Sequence, residues 1–305
     1  MNQLEDMQTF VRIVEAGSIT KASVQLNTVK SAVSRRLTEL EKRLGVTLLT
    51  RTTRTQTLTD SGRSYYLQCL RIIEDLAEVE ASIKDKHCSF SGTIKISAPF
   101  SFGLKHLAPA FRQFNQAHPD VLFNVDFNDR KVDLVEEGYD LAIRISTLAD
   151  STLIARKITS VAPVLCASPA YLKQYGEPKT AEDLNQGHVR LRYNLTPETW
   201  QLDSSTGQAV VVKSPIVLSA NNGDYLCEEA IAGRGLLFGP DFICYEAIRA
   251  GQLKPLLCEQ LKNKATNAYA VYPHTRHLSQ RVRGLIDFLT LYFGENPYWN
   301  IYSKL

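Results

Sequence analysis

Residues 29–45, VKSAVSRRLTELEKRLG, carry the pattern that most restricts how this chain can fold. Val33, Leu37, Leu40 and Leu44 recur at intervals of three and four residues, so they line one face of an α-helix and turn toward a core. The opposite face carries hydroxyl and basic side chains in its first turns, near the positive end of the helix dipole, where a cation is mildly unfavourable. That face is either a solvated surface or a surface for an external polyanion.

The residues before this helix predict two further helices. Apolar residues at helical spacing indicate a first helix that ends at Gly17, where a left-handed C-terminal cap is expected. Ser18 or Thr20 can cap a short second helix, TKASVQL. The dipeptide NT then forms a turn before the third helix begins at about Val29. Helix, tight turn and helix follow one another.

A hairpin is predicted after the third helix. The segment VTLLTRTTRTQTLT is rich in β-branched residues and is interrupted by Arg51 and Arg54, so it indicates two short strands with a basic tip. Such a hairpin beside a helix-turn-helix is a wing.

A long helix is predicted from Asp60 through DSGRSYYLQCLRIIEDLAEVEASI. Its apolar residues alternate spacings of four and three, the coiled-coil period, which favours a partner helix over a core helix of the same chain. We expect dimerisation through Tyr65, Cys69, Ile72, Leu76, Val79 and Ile83. The following KDKHCSFSG breaks the period and predicts a hinge.

Strand and helix patterns alternate beyond the hinge. TIKISAP and VLFNVDF predict strands, whereas SFGLKHLAPAFRQFNQAHP and KVDLVEEG predict helices. A second set begins near APVLCAS, and a final strand, NAYAVYP, precedes a terminal helix. Such alternation is typical of largely parallel sheets, and we infer two α/β lobes.

Composition and charge narrow the class of protein. No apolar run in the 305 residues approaches the ~20 that a membrane helix needs. The opening MNQLEDMQTF lacks the pattern of a signal peptide, so we expect a cytoplasmic protein that does not bind membranes.

The net charge is only +3, yet the first 65 residues hold ten Lys and Arg against six Asp and Glu. A basic N-terminal segment followed by a nearly neutral remainder of the chain indicates a nucleic-acid-binding module. Six cysteines without a CxxC pair predict buried, reduced thiols.

The chain resembles the LysR-type bacterial transcriptional regulators. The resemblance rests on LEDMQTFVRIVEAGSIT, SAVSRRLTELEKRLGVTLLTRTTR, LTDSG, VDLVEEGYDLAIRI, LCASPAYL and AIAGRGLLFGPDFI. It implies an N-terminal all-α winged helix-turn-helix plus a C-terminal α/β two-lobed domain similar to periplasmic binding proteins. It also implies a tetramer built from dimers. Asn27, Val29 and Lys30 stand where the family commonly has Gly, Ser and Gln or Pro, so the target sequence cannot be carried over from relatives.

The expected domain division combines these patterns. Residues 1–59 form the winged helix-turn-helix domain, with the helix-turn-helix at about 19–38. Residues 60–85 form the linker helix for dimerisation, and residues 86–91 the hinge. The effector-binding domain comprises residues 92–305, with lobe 1 at about 92–161 and 267–305 and lobe 2 at about 162–266.

A recognition helix enters the major groove with its N-terminus first. The candidate DNA-binding residues are therefore Thr20, Lys30, Ser31, Ala32, Ser34, Arg35 and Thr38 on the helices, and Arg51, Thr53 and Arg54 on the wing. Arg35 or Lys30 suits guanine O6 and N7. The wing residues suit phosphates or the minor groove.

Ligands of open α/β lobes bind where strand ends and helix N-termini converge on a cleft. SAPFSFG and SANNGD are such junctions, and their backbone donors suit a carboxylate or another anion. The candidate effector-binding residues are Pro99, Ser101, Phe102, Asn128, Arg144, Asn221, Asn222 and Gly223. The alternative for each is a structural cap or an ion pair, in particular for Arg144 with Asp140 or Asp129.

We expect a sequence-specific DNA-binding transcriptional regulator that responds to a small-molecule effector bound between two lobes. An effector-independent or thiol-responsive repressor of the same fold is the alternative. An enzyme or a solute-binding protein on the same lobes is the other class, but the sequence has no nucleophile elbow, HExxH motif or Walker loop. No catalytic residue, metal site or cofactor is therefore expected. The expected partners are double-stranded DNA, the effector and a second copy of the chain, with RNA polymerase as a further candidate.

Overall fold

The computed structural model describes residues 2–51, 56–84, 90–146, 153–204, 207–261, 266–273 and 278–302. The N-terminal part contains α1 (Gln3–Ala16), α2 (Ile19–Gln25), α3 (Lys30–Leu44), β1 (Leu49–Arg51), β2 (Gln56–Leu58) and α4 (Asp60–Lys84). Strands β1 and β2 pair antiparallel, as expected for a wing.

Local signals set the ends of the first three helices. Gly17 ends α1 with φ 69°, and the Ser18 side chain caps α2 by accepting from Lys21 N. The turn between α2 and α3 passes through Asn27, whose φ of 49° lies in the left-handed region. Asparagine tolerates that conformation better than most residues, so it can stand where glycine is common.

The first half of α4 belongs to the core of the N-terminal domain. The Tyr65 ring lies 5.5 Å from the Phe10 ring, and Cys69 is fully buried in the same cluster. The prediction that Cys69 lies in a dimer seam is therefore wrong, because three short helices and a hairpin need the start of α4 to close their core. Tyr65 is half-buried, and its part in dimerisation stays a prediction. Ile72 is exposed, Leu76 is half-buried, and the side chains of Val79 and Ile83 lie outside the described residues.

The C-terminal part contains two five-stranded sheets. In chain order its elements are β3 (Gly92–Ala98), α5 (Phe100–Phe102), a π turn (Gly103–Leu107), α6 (Ala108–Ala117), β4 (Val121–Phe127), β5 (Leu141–Ser146), β6 (Leu153–Val161), β7 (Pro163–Ala167), α7 (Pro169–Tyr175), a 3₁₀ turn (Asp183–Asn185), β8 (Arg190–Tyr193), β9 (Trp200–Asp203), β10 (Ala209–Val212), β11 (Ile216–Ala220), α8 (Gly223–Ile231), β12 (Leu236–Pro240), α9 (Asp241–Arg249), β13 (Lys254–Leu256), α10 (Cys258–Leu261), β14 (Thr266–Pro273) and α11 (Gln280–Phe293).

Both sheets are mixed, so the prediction of largely parallel sheets is wrong. Lobe 1 has the order β4-β3-β5-β14-β6, with β3 parallel to β4 and β5 but β14 antiparallel to β5 and β6. Lobe 2 has the order β11-β8-β12-β7-β13, with β7 antiparallel to both neighbours. Strands that carry the chain between lobes are not joined to their neighbours by a crossover helix, so nothing forces them to be parallel.

The predicted helix KVDLVEEG is a single turn. The Asp133 carboxylate accepts from the backbone N–H of Val135 and of Glu136, as in a helix cap. Gly138 then adopts φ 77°, and Tyr139 N donates back to Leu134 O over 3.0 Å. A left-handed residue so soon after the cap ends the helix before a second turn can form.

The chain passes from lobe 1 to lobe 2 at Ala162, between β6 and β7. Residues after α11 pack on both lobes: Trp299 is fully buried with its ring 5.6 Å from that of Phe102, and the Tyr302 hydroxyl donates to Pro163 O over 2.6 Å. The C-terminal segment therefore holds the lobes against each other. None of the helices in the described part of the chain has the length and apolar character of a membrane span.

Candidate nucleic-acid interface and ligand cleft

The α3 helix divides into a buried face and an open face. Val33, Leu37 and Leu40 have at most 1% of their surface exposed. The polar residues on the other side are open: Lys30, Ser31, Arg35 and Thr38 are exposed, and Ala32 and Ser34 are half-buried. Thr20, on α2, is also exposed. The first turns of α3 therefore present donors that a DNA groove can reach.

Two of the basic residues on α3 position the helix. Arg36 pairs with Glu5 at 2.9 Å, and Arg43 pairs with Asp6 at 3.1 Å. Both pairs join α3 to α1, and the Asp6 side chain is only 7% exposed. Arg35 differs, because its side chain is 78% exposed and its contact with Glu39 spans 3.8 Å. A surface pair of this kind contributes little, so the Arg35 guanidinium is available to an external acceptor.

The wing is attached to α3 by a carboxylate. Glu41 Oε1 accepts from Leu48 N at 2.7 Å and from Leu49 N at 3.2 Å, at the start of β1. The angle between the helix and the hairpin therefore depends on Glu41, a role that the helical pattern does not reveal. Arg51 ends β1, and Thr53 and Arg54 lie outside the described residues.

Two exposed apolar side chains accompany the polar face. Val29, the residue before α3, is 66% exposed, and Val24 on α2 is 77% exposed. A valine methyl group suits contact with the C5-methyl of thymine in the major groove. The sequence already marked this position, because the family commonly has serine where this chain has Val29.

The two helix N-termini of the predicted cleft meet. Ser101 is buried, and its Oγ lies 3.9 Å from the point that a Cβ on Gly223 would occupy. That Cβ would also lie 2.3 Å from Ile243 Cδ1, so a larger residue at this position would require the Ile243 side chain to move. Phe102 is fully buried, whereas Pro99 is half-buried and Asn221 is exposed. The structure therefore brings together the junctions after β3 and after β11.

Asn222 is the N-cap of α8. Its side-chain Oδ1 accepts from Tyr225 N at 2.8 Å. The structural-cap alternative therefore holds for this oxygen, and only the amide nitrogen of Asn222 can serve a ligand.

Asn128 and Arg144 are brought together by Ser97, a strand residue that no sequence pattern indicated. Ser97 Oγ accepts from Arg144 Nη2 at 2.9 Å and from Asn128 Nδ2 at 3.2 Å. Arg144 also donates to Ile143 O at 2.8 Å and to Arg130 O at 3.3 Å. Burial lowers the pKa of Arg144 from its ordinary value. The Asp129 and Asp126 carboxylates oppose this shift, so the guanidinium already lies in the field of two negative charges.

Two polar contacts that no sequence pattern predicted join the lobes. Lys105, in the π turn of lobe 1, pairs with Asp224 of α8 at 2.6 Å. Tyr193, at the end of β8, bonds to Asp129, whose Oδ1 also accepts from Phe100 N at 3.3 Å. Burial, reinforced by the Asp129 charge, raises the pKa of Tyr193. These residues are far apart in sequence, and no local pattern pairs them.

A buried histidine lies between the lobes. His106 Nδ1 is 2.6 Å from the Tyr298 hydroxyl, and Nε2 is 3.1 Å from Phe242 O. Burial lowers the pKa of His106 to about 4, so the ring is neutral near pH 7. His106 is therefore part of the aromatic packing between the lobes.

Four cysteines, Cys69, Cys166, Cys227 and Cys244, are free and buried, and Cys258 is partly buried. Cys88 lies outside the described residues. Cys244 forms hydrogen bonds with Cys227 and Cys166. The bond to Cys244 and burial raise the pKa of Cys227, and the bond to Cys166 and burial raise the pKa of Cys244. Thiols of this kind are poor nucleophiles. Within the described ranges, no three His, Cys, Asp or Glu side chains are grouped so as to hold a metal ion.

Comparison with known proteins agrees with this geometry. Residues 4–63 match the family model of the bacterial regulatory helix-turn-helix protein, lysR family, and residues 89–293 match that of the LysR substrate binding domain. An HTH-type transcriptional regulator of Haemophilus influenzae is 36% identical over 93% of this chain and 99% of its own. An HTH-type transcriptional repressor of Pseudomonas aeruginosa is 34% identical over 97% and 94%.

A solved structure is similar over the whole chain. CrgA of Neisseria meningitidis, a LysR-type transcriptional regulator, is 32% identical and superimposes with a TM-score of 0.62, covering 95% of this chain and 99% of its own.

Proposed function

This chain belongs to the LysR family of bacterial transcriptional regulators, and we propose that it reads its operator with the first turns of α3 and answers a small anion held between its lobes. The observation that carries the first part is the exposed row of Lys30, Ser31 and Arg35 on a helix whose other face is buried. Ion pairs to α1 and the Glu41 contact to the wing fix the direction of that row.

The candidate DNA-binding residues divide by the atoms that they can reach. Arg35 and Lys30 read bases, with guanine O6 and N7 as the acceptors that a guanidinium or an ammonium prefers. Ser31, Ser34 and Thr38 add shorter contacts, Ala32 leaves room for the groove wall, and Thr20 binds a phosphate from α2. Arg51, Thr53 and Arg54 bind phosphate or the minor groove, which positions the protein without reading sequence.

The effector site lies where the junctions after β3 and β11 meet. Ser101 and the N–H groups of the first turn of α8 are donors, and the Arg144 guanidinium supplies positive charge. Asn128 Oδ1 is buried and accepts no hydrogen bond within the described residues, which suits a ligand hydroxyl or ammonium group. Pro99, Phe102, Asn221, Asn222 and Gly223 shape the walls. The effector is thus a small carboxylate with a second polar group.

The proposed organisation follows the expected division at 1–59, 60–85, 86–91 and 92–305. Half-buried Leu76 lies on α4 beyond Ile73, which packs against the N-terminal core, and the neighbouring Ile72 is exposed, so the later turns of α4 join two copies. A dimer places two recognition helices on one duplex, and a tetramer spans two such sites. The protein works in the cytoplasm without catalysis, and RNA polymerase is a candidate partner at the promoter.

Gel-shift titrations test the DNA part, with operator DNA recovered by binding selection and a scrambled duplex, each at several salt concentrations. Arg35→Ala should weaken binding to the operator more than to the scrambled duplex. Arg54→Ala should weaken binding to both and flatten the salt dependence by about one phosphate contact. Lys173→Ala, an exposed charge on lobe 2, is the control and should change neither. Equal losses on both duplexes for Arg35→Ala would contradict base reading.

Calorimetry on the full chain with a panel of small hydroxy- and amino-carboxylates tests the effector part. Ser101→Ala should weaken binding of an identified ligand without changing effector-free operator affinity, because Ser101 is remote in sequence from the DNA-binding head. A ligand whose affinity is unchanged in Ser101→Ala and in Arg144→Gln would place the site elsewhere.

A further inference from the structure

A carboxyl group lies against the connection through which the chain passes from lobe 1 to lobe 2. The backbone N–H of Asp241 donates to Ala162 O over 2.8 Å, which extends the pairing of β12 with β7 one residue beyond Pro240 and Pro163. In return, the Asp241 carboxylate accepts from the backbone N–H of Ala162. Both polar groups of the Ala162 backbone, its carbonyl oxygen and its N–H, are therefore bonded to Asp241.

The same carboxyl group is withdrawn from water. Asp241 is 1% exposed, and its Oδ1 also accepts from Phe242 N at 2.9 Å. Within the described ranges, no Lys or Arg side chain forms an ion pair with it. A buried carboxylate without a cation is costly, and backbone donors offset only part of that cost.

The titratable groups that face Asp241 are neutral near pH 7. Its own helix contributes Cys244, and the C-terminal segment contributes Tyr302. His106, from the π turn of lobe 1, contacts the carbonyl of the adjacent Phe242. The pKa of Cys244 and of Tyr302 is raised and that of His106 is lowered, all away from neutrality. Asp241 is thus the group in this cluster that can change charge near neutral pH.

We propose that Asp241 is a proton-binding site on the interlobe connection, where proton uptake favours the closed arrangement that buries the carboxyl group and proton release favours opening. The occupant is a proton, and the affected motion is the hinge between the lobes. Any consequence for operator binding rests on the proposed function, whereas the site itself does not.

The direction of the effect follows from burial. Burial raises the pKa of Asp241 from 3.8 to about 7. When the connection opens, the carboxyl returns to water and to its ordinary pKa, so the closed form holds the proton more tightly. The stabilisation of the closed form is complete below about pH 4 and is lost as pH rises toward about 7. The equilibrium for local opening should therefore rise by roughly tenfold per pH unit across that window and level off above it.

Hydrogen exchange on the full-length protein, without DNA or ligand, tests the site. The readout is the protection of backbone amides in residues 159–165 and 239–243 at pH 5.5, 6.5 and 7.5. Asp241→Asn keeps the shape and removes the charge, so its protection should not follow the wild-type decline. The ratio of wild-type to Asp241→Asn protection should fall roughly tenfold from pH 5.5 to 6.5 and less from 6.5 to 7.5. Asp120→Asn, an exposed aspartate, is the control and should follow the wild type.

Strand β3 supplies an internal reference within the wild type, so the test stands even if Asp241→Asn does not fold. Protection of residues 159–165 relative to residues 93–97 should decline with pH. A constant ratio, or parallel profiles for wild type and Asp241→Asn, would overturn the proposal. Since no operator or effector is used, the outcome is independent of whether the proposed function holds.

Discussion

Glu41 Oε1 lies 2.7 Å from the backbone nitrogen of Leu48, so a carboxylate in the last turn of α3 fixes the start of the wing. The same oxygen also accepts a hydrogen bond from Leu49 N at 3.2 Å. These two bonds join α3 to the first strand of the wing.

Removal of this carboxylate should loosen the wing. Glu41→Ala leaves two half-buried N–H groups without their acceptor, which should cost about 1–3 kcal/mol of unfolding free energy in the N-terminal domain. Chemical unfolding measures this cost, and gel shifts should show weaker binding to operator and scrambled DNA alike. Glu41→Gln retains a neutral acceptor and should recover part of both losses. Wild-type behaviour in Glu41→Ala would show that the wing is held by other contacts.

The helix-turn-helix turn depends on a left-handed residue. Asn27→Gly should fold at least as well as the wild type, because glycine accepts φ 49° without strain. Asn27→Val should destabilise the domain by about 1–2 kcal/mol, since a β-branched residue opposes that conformation. Urea unfolding of both variants measures the difference. Equal stability of the two would mean that the turn adopts another conformation.

Two positions on α4 should respond differently to an introduced charge. Leu76→Glu places a carboxylate in the proposed seam and should dissociate the oligomer while each copy remains folded. Cys69→Glu buries a charge in the N-terminal core and should unfold that domain. Light scattering and circular dichroism separate the two outcomes. A folded Leu76→Glu variant with the parental oligomer size would refute the seam.

His106 should contribute to stability above its ordinary pKa. The folded-state pKa is lowered from 6.5 to about 4, so the unfolded chain takes up the proton first as pH falls. Its contribution is complete above about pH 6.5 and is lost between about pH 6.5 and 4. His106→Gln does not titrate, so its unfolding midpoint should decline less steeply than that of the wild type over this range. Identical slopes would show that the pKa of His106 in the fold is not lowered from its ordinary value.

Local patterns were sufficient for the elements of the N-terminal domain. The spacing of Val33, Leu37 and Leu40 predicted the buried face of α3, and Gly17 predicted the end of α1. The period in α4 predicted a long helix but not its neighbour, because Cys69 packs against residues about sixty positions earlier in the chain. Periodicity identifies a buried face without naming what covers it.

The cleft shows the same limit on a larger scale. The residues after β3 and β11 were predicted as junctions because strand ends and helix starts are local features. The contacts of Lys105 with Asp224 and of Asp129 with Tyr193 join different lobes, so they depend on how the lobes pack. Ser97 was missed for a related reason, since a serine inside a strand gives no signal until Arg144 and Asn128 converge on it.

Base discrimination by Arg35 tests the central claim most directly. Wild type and Arg35→Ala are titrated against the selected operator and against duplexes in which each base pair is replaced in turn. The wild type should lose about 1–3 kcal/mol of binding free energy at the G·C pair that Arg35 reads, and Arg35→Ala should be indifferent to replacement of that pair while it retains the other preferences. An Arg35→Ala variant that keeps the full wild-type pattern of base preferences would contradict the claim that α3 reads bases through Arg35.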